Sequence, residues 1–358
     1  MAGAVTTERR EPSRVRAVLE PWLAAHLGVG RLDRLTVEAP SGHGFSNDTL
    51  LVELVTNGER LDLVVQAAPT QAGLFPDYAI AEMFRLQRDL RDLSTVPVAN
   101  VRWLEQDPRL LGAAFYAMDR VEGKVPDESP PYHRGGWVFD ATADDRARMT
   151  QSLLTAMAAL HRLDVAEHFP YLTSTRWGMA LDADPAAERV RQWRDYTAWA
   201  CDGDKPPAFL SDAWQVLGEA LPERPERLSV AWGDAKLGNV IFRDFEVVAL
   251  LDWELCGVGP AEEDLTNQLA VDRVLAGMGA TPMPAFFCPD EVLTAYETLL
   301  GRPLVGTRWW YAFAVAKMAA EVHRILVQSR KLGARSGLGD LSRLNIAAPE
   351  LRRALGLL

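Results

Sequence analysis

Between Ser13 and Gly28, in SRVRAVLEPWLAAHLG, apolar residues recur at helical spacing, with Ser13 as N-cap and Gly28 as stop. Pro21 is expected to interrupt or kink this helix, because it has no N–H and its ring crowds the preceding turn. The first dozen residues are polar and are expected to fray. The period then shortens. DRLTVEA, TLLVELV and RLDLVVQAA read as strands, and Asn57-Gly58 between the last two is a hairpin signal. An antiparallel sheet follows from this pattern. DYAIAEMFRLQRDLRDL, from Asp77 to Leu93, is an amphipathic helix, and VPVANVRWLE and AAFYAMDRVEG are two more strand candidates.

VPDESPPYHRGG, rich in Pro and Gly, reads as a linker loop. It sets the domain organisation: residues 1–30 a helical extension, 31–124 a small sheet domain, 125–358 a mainly helical domain. The longest clear helix of the last is DDRARMTQSLLTAMAALHRLD, and GTRWWYAFAVAKMAAEVHRILVQSRKL is another. One β island, RLSVAWGDAKLGNVIFRDFEVVALLDWE, interrupts them. The class is α+β, a small antiparallel sheet followed by helices that enclose a short hairpin. There are no internal repeats.

The composition narrows the partners. The 358 residues carry 38 Lys and Arg against 49 Asp and Glu, a net charge of −11. Such acidity argues against nucleic-acid binding, which needs a basic face. Cys201, Cys256 and Cys288 are odd in number and far apart, so neither a disulfide framework nor a CxxC metal site is indicated. No HExxH or paired-histidine zinc pattern occurs, and no GxSxG elbow. The N-terminus lacks the apolar core of a secretory signal, and no apolar run suffices to cross a membrane. A cytoplasmic protein, monomer or homodimer, is the expectation.

The β island carries the chemistry. Asp234 and Asn239 lie five apart on one loop, and Asp252 and Glu254 follow the apolar run VVALL. An acid at the end of a buried strand is costly without a cation or donor partner. Oxygen ligands from two adjacent loops suit Mg²⁺, which takes one or two carboxylates plus phosphates and water. That points to phosphoryl transfer, with Asp234 accepting the proton of an attacking hydroxyl and Asn239 and Asp252 holding metal. The bland alternative is a hairpin in which Asp and Asn cap a turn.

WGDAKLGNVIF, VVALLDWELCGVG and EEDL together resemble the aminoglycoside phosphotransferase family of the protein-kinase-like superfamily, in particular its actinobacterial members with a WGDARxGN loop. The resemblance spans about residues 35–330 and is tightest in the β island. It implies a bilobal protein-kinase-like fold, ATP or GTP with Mg²⁺, and transfer of the γ-phosphate to a hydroxyl of a small molecule. Asp234 corresponds to the base, Asn239 and Asp252 to the metal ligands, and Lys236 to the catalytic-loop lysine that touches the transferred phosphate. Gly42, Gly44, Ser46 and Asn47, in SGHGFSND, fall at the phosphate-covering loop. The backbone from Met118 to Val121, in YAMDRVEGK, matches the hinge that pairs with the base of the nucleotide. Glu82 matches the helix glutamate that pairs with the cation of the third strand.

The chain departs from that pattern in two places. Gln66 stands where the family has Lys or Arg, so the site lacks a charge worth about 4 kcal/mol as a gross pair term at 4 Å and an effective dielectric near 20. Lys124 or Arg60 could supply it from elsewhere. Otherwise transfer is slow, or the chain is a nucleotide-binding pseudokinase or sensor. Trp232 replaces the histidine of the usual HGD, and its indole N–H can take over as a donor. His161 reads as a hydrogen-bonded core histidine. Trp309, Trp310 and Tyr311 read as helix-packing core unless they line an acceptor pocket. Glu262, Glu263 and Asp264 are the acids that a polycationic acceptor would need, with Asp264 better suited to bracing the catalytic loop.

Overall fold

The computed structural model describes residues 10–39, 46–70, 73–278, 283, 286–331 and 344–358. They form two compact units, one of residues 1–88 with 99–121, the other of residues 89–98 with 122–358.

In the first unit, α1 (Pro12–Leu27) leads into β1 (Arg34–Glu38), β2 (Asp48–Thr56) and β3 (Glu59–Ala67), then α2 (Ile80–Leu93), whose last turns belong to the second unit. β4 (Val101–Glu105) and β5 (Phe115–Asp119) complete an antiparallel sheet of order β1-β2-β3-β5-β4. Alternation puts Leu50, Val52, Leu54, Leu63, Val65 and Ala67 on one face, where they pack on Val15, Leu19, Trp22 and Leu23 of α1. α1 continues through Pro21, which lies on the exposed side of the helix, so the proline does not interrupt it. The cap differs from the sequence reading: Glu11 precedes the helix, Pro12 takes its first turn, and Ser13 lies inside it. Of the residues expected to fray, 1–9 lie outside the described residues, and Arg10 is held in place. Its guanidinium bonds Asp48, the Leu111 carbonyl at 2.8 Å and the Ala68 carbonyl at 2.7 Å.

The second unit contains α3 (Ala143–His161), α4 (Val165–His168), α5 (Pro185–Ala200), α6 (Ala208–Glu219), β6 (Ser229–Ala231), β7 (Val240–Arg243), β8 (Glu246–Leu250) and β9 (Gly257–Gly259). It continues with α7 (Ala261–Ala276), α8 (Pro289–Leu300), α9 (Thr307–Lys331) and α10 (Ala348–Leu355). Residues 96–100 of the fourth strand candidate are not strand; instead the Pro97 carbonyl accepts from the Leu250 N–H at 2.8 Å. The β island is not a hairpin around Trp232–Asn239. β6 pairs with β9, and β7 pairs with β8. Residues 232–239 are therefore a crossover between two small sheets, and a 3₁₀ turn closes it at Leu237–Asn239. β9 is too short and glycine-rich to register as a strand in the sequence.

Candidate active site

The crossover is held from several sides. Gly233 adopts φ +86, and a Cβ there would meet the Leu255 carbonyl oxygen at 2.2 Å, so the turn requires glycine. Asp264, in the first turn of α7, accepts from the N–H groups of Trp232 at 2.7 Å and Gly233 at 2.8 Å. It also accepts from His161 Nε2 at 2.9 Å, which leaves His161 Nδ1 to accept from the Tyr296 hydroxyl at 2.5 Å. His161 is thus a core brace behind the loop. Trp232 is fully buried, and its indole N–H donates to the Leu251 carbonyl at 2.7 Å. Across the loop, the Leu251 N–H donates to the Asn239 carbonyl at 2.8 Å.

Asp234 lies at the centre. The Asn239 amide donates to its carboxylate at 2.8 Å and to its backbone carbonyl at 3.0 Å. Lys236 Nζ is 3.3 Å from the same carboxylate and 3.9 Å from Glu128. Burial opposes the charge on Asp234, but Lys236 and Lys317, with the Asn239 hydrogen bond, outweigh it and hold the carboxyl below its ordinary value. Burial also opposes the Lys236 charge, and Asp234, Glu128, Asp252 and Glu321 overcome it, raising that lysine well above its ordinary value.

Asp252 lies two residues beyond β8, in left-handed backbone at φ 60. Its carboxylate has no hydrogen bond among the described residues, and burial with repulsion from Asp234 pushes it up to about 6. Glu254 is buried beside it in the chain. Among the described residues no three His, Cys, Asp or Glu side chains are grouped to hold a metal. The cation-competent set here is a carboxylate and an amide oxygen, which phosphate oxygens and water must complete.

Four further residues at this centre had no place in the sequence reading. Lys317 of α9 donates to the Gly233 carbonyl, and Asn267 of α7 donates to the Ala235 carbonyl at 2.9 Å. Glu128 and Glu321 each bury one carboxylate oxygen that has no hydrogen-bond partner among the described residues. Burial pushes Glu321 up to about 7, against the pull of Lys317. The one signal was a lysine inside the apolar run AFAVAKMAA, with Glu321 one helical turn on.

In the first unit, no ion pair links Gln66 of the third strand to α2 among the described residues. The Tyr116 hydroxyl donates to Gln66 Oε1, and Gln87 of α2 donates to that hydroxyl at 3.0 Å. The link is a neutral relay from β3 to α2. Glu82, expected at the α2 end, is exposed and has no ion-pair partner among the described residues. It lies five residues before Gln87, on another side of the helix. Arg60 pairs with Asp62 at 2.9 Å and Glu53 at 3.1 Å, six residues and about 20 Å along the strand from Gln66. Lys124 belongs to the second unit, where its ammonium lies 5.9 Å from the Trp137 ring. Ser46 and Asn47 are half-buried before β2, while Gly42 and Gly44 lie outside the described residues. Met118 is paired in the sheet with Val64 and Val101, and Val121 follows β5, half-buried.

The acids proposed for a polycation are already engaged. Glu262 accepts from Nη1 and Nη2 of Arg302, at 2.7 and 3.1 Å. Glu263 pairs with the Arg189 Nε at 2.8 and 2.9 Å, both side chains buried. Trp309 and Trp310 are buried in helix packing, Trp309 donating to the Leu217 carbonyl at 3.0 Å, and Tyr311 donates to Glu350 at 2.6 Å.

A small antiparallel sheet, a helical region and a loop uniting Asp234, Lys236 and Asn239 with Asp252 define a protein-kinase-like phosphotransferase architecture. Residues 38–284 match the model of the phosphotransferase enzyme family, and the chain belongs to that family. Among solved structures, it is similar to a candidate aminoglycoside phosphotransferase from Ralstonia eutropha JMP134, at 21% identity and a TM-score of 0.66, over 95% of each chain. The macrolide 2'-phosphotransferase MphH from Brachybacterium faecium aligns with a TM-score of 0.55 and 17% identity over 93% of this chain and 97% of that one. A Plasmodium vivax ethanolamine kinase aligns at 0.56 and 10% over 93% and 86%. Curated relatives have another name. The probable acyl-CoA dehydrogenase IBR3 of Arabidopsis thaliana is 26% identical over 342 residues, 88% of this chain and 39% of that protein. Human acyl-CoA dehydrogenase family member 11 is 25% identical over 254 residues, 70% and 30%. The chain therefore spans well under half the length of these relatives. Among the described residues, no helix is long and apolar enough to cross a membrane.

Proposed function

We propose that the chain is an ATP-dependent phosphotransferase that moves the γ-phosphate to a hydroxyl of a small molecule. The observation that carries this reading is Asp234, ionised beside Lys236 and fixed by Asn239. Asp234 takes the proton of the acceptor hydroxyl as its oxygen bonds the γ-phosphorus. The bond from that phosphorus to the bridging oxygen breaks, and ADP leaves with the electron pair. Lys236 offers a point charge to the phosphoryl group in transit. The donor set suits Mg²⁺. Asp252 is a carboxylate with no hydrogen bond among the described residues, and Asn239, its NH₂ engaged on Asp234, keeps its amide oxygen for a cation. Bound there by Asn239 and Asp252, Mg²⁺ would neutralise phosphate charge.

The nucleotide role assigned to the first unit rests on the family. Ser46, Asn47 and the glycines before them would cover the phosphates. Gln66 would donate from its amide NH₂, which makes no hydrogen bond among the described residues, and the Met118–Val121 backbone would meet adenine or, with GTP, guanine. Glu82 keeps no role in this reading.

For the acceptor, we favour a hydroxyl-bearing acyl thioester. The support is the name of the curated relatives, in which a region like this one shares a chain with acyl-CoA dehydrogenase. Enzymes joined in one chain commonly treat successive forms of one carrier-bound compound. Against a polycationic antibiotic stand Glu262 and Glu263, both engaged by arginines.

The test is Mg²⁺-dependent ADP release with hydroxyacyl-CoA, choline, an aminoglycoside and a macrolide in parallel. Turnover with hydroxyacyl-CoA alone, reduced about 10²–10⁴-fold by Asp234→Asn with Mg·ATP binding retained, is the expected result. Full turnover in Asp234→Asn would sink the mechanism, and turnover only with another acceptor would sink the substrate class. The neutral Gln66–Tyr116–Gln87 relay favours a second reading, a nucleotide sensor. It predicts a thermal shift with Mg·ATP and no phosphoryl transfer to any of the four.

A further inference from the structure

The apolar run of residues 312–320 in α9 is interrupted by one charge. Lys317 lies among Ala314, Val315, Ala316, Ala319 and Ala320, and is itself only 2% exposed. A buried ammonium is costly unless hydrogen bonds and nearby charge compensate it. No carboxylate lies within ion-pair distance among the described residues. Its Nζ donates instead to the Gly233 carbonyl and, at 3.2 Å, to Asn267 Oδ1, and it sits 5.6 Å from the Trp193 ring centroid. Asn267 then donates from Nδ2 to the Ala235 carbonyl at 2.9 Å. Gly233 and Ala235 are the residues on either side of Asp234. One Lys–Asn pair, reaching in from α9 and α7, therefore holds the carbonyl before the proposed base and the carbonyl after it. Asp264 holds the N–H groups of Trp232 and Gly233.

We propose that Lys317 is a positioning residue for Asp234: through the Gly233 carbonyl and through Asn267 it sets the backbone from which the base projects, and it acts with Asn267 as a unit. This rests on the phosphotransferase reading of Asp234. The Asp234 carboxylate must meet both Asn239 and an incoming hydroxyl, and misplacement of a reacting group by about 1 Å can cost on the order of 10²-fold in rate. A merely structural lysine would hold α9 against the loop and affect stability alone.

The test has a geometric and a kinetic arm. Crystal structures of the wild type and Lys317→Met are compared first. The expected result is a rotated Gly233–Asp234 peptide and a displaced Asp234 carboxylate, with α7 and α9 in place; an unmoved Asp234, still bonded to Asn239, overturns the proposal. In the kinetic arm, ADP release is measured with Mg·ATP alone, water being the acceptor, and with hydroxyacyl-CoA. Lys317→Met is expected to lower kcat about 10–100-fold with KM for Mg·ATP within about twofold. Asn267→Leu should do the same, and the double variant should lose little more than either single one. Unchanged kcat in a folded single variant, or simply multiplied losses in the double, overturns it. If Lys317→Met does not fold, Lys317→Arg and Asn267→Leu decide by the same readouts. A wild type that releases no ADP refutes the phosphotransferase reading, and the crystallographic arm still decides on Lys317.

Discussion

The indole N–H of Trp232 donates to the carbonyl of Leu251 at 2.7 Å, one residue before Asp252. The tryptophan that replaces the usual histidine thus ties the loop of the proposed base to the segment of the proposed metal ligand. Its backbone N–H, bound to Asp264, anchors the same residue to α7.

Trp232→Phe removes the donor and leaves a carbonyl without its partner in a buried setting. The expected loss is about 1–3 kcal/mol in stability, from the lost hydrogen bond together with the smaller ring. Because the Leu251 carbonyl sets the approach to Asp252, the Mg²⁺ concentration needed for half-maximal nucleotide binding should rise. Denaturant unfolding and a Mg²⁺ titration check this; a variant equal to wild type in both refutes it.

Asp252 and Glu321 predict a pH dependence. Burial raises Asp252 from 3.8 to about 6, helped by Asp234, and raises Glu321 from 4.5 to about 7. A carboxyl that holds its proton more tightly folded than unfolded stabilises the fold while protonated, and that stabilisation is lost as pH rises through the folded value. Between about pH 4 and 7 these two groups therefore make the ligand-free protein less stable as pH rises. Asp252→Asn and Glu321→Gln should each flatten the slope. Mg·ATP favours the ionised forms, so its gain in Tm should be larger near pH 8 than near pH 5.5. Thermal unfolding across this range, with slopes unchanged in both variants, would refute the assignment.

Gln66 predicts an outcome in the first unit. Gln66→Leu removes the oxygen that accepts from Tyr116 and should destabilise by about 1 kcal/mol. It should also weaken Mg·ATP, since it deletes the amide donor assigned to phosphate. Gln66→Lys restores a charge at that place and should tighten Mg·ATP. Isothermal titration of both variants decides; equal affinities across the series would detach Gln66 from nucleotide binding.

Arg189 tests the structural reading of the α7 acids. It bonds Glu263 through Nε and also reaches the Trp177 and Val258 carbonyls at 2.8 and 2.9 Å. Arg189→Met would leave Glu263 buried and unpaired, at a cost of about 3–5 kcal/mol. A stable Arg189→Met protein that gains affinity for a polyamine or aminoglycoside would instead show that Glu263 is available to a cationic acceptor.

Periodicity exposed the sheet and the helices because burial acts locally on every element: the alternation of Leu50, Val52 and Leu54, or the helical spacing from Asp77 to Leu93, is written where it is used. The spacing of Asp234, Asn239 and Asp252 was legible for the same reason, since one crossover and one short hairpin carry all three. The pairing of β6 with β9 was not, because a strand's partner depends on contacts distant in sequence, and three residues ending in glycine give no pattern. Nor was the replacement of a strand–helix ion pair by Gln66, Tyr116 and Gln87, three neutral side chains from separate elements. Lys317 and Asn267 reach the loop from helices 84 and 32 residues away from the carbonyls they hold. The sequence by itself determined the strands and helices and the spacing of Asp234, Asn239 and Asp252 on which the proposed chemistry rests. Only the tertiary structure decided what holds them, because hydrogen bonds and buried charges are satisfied by proximity in space, which a linear pattern does not encode.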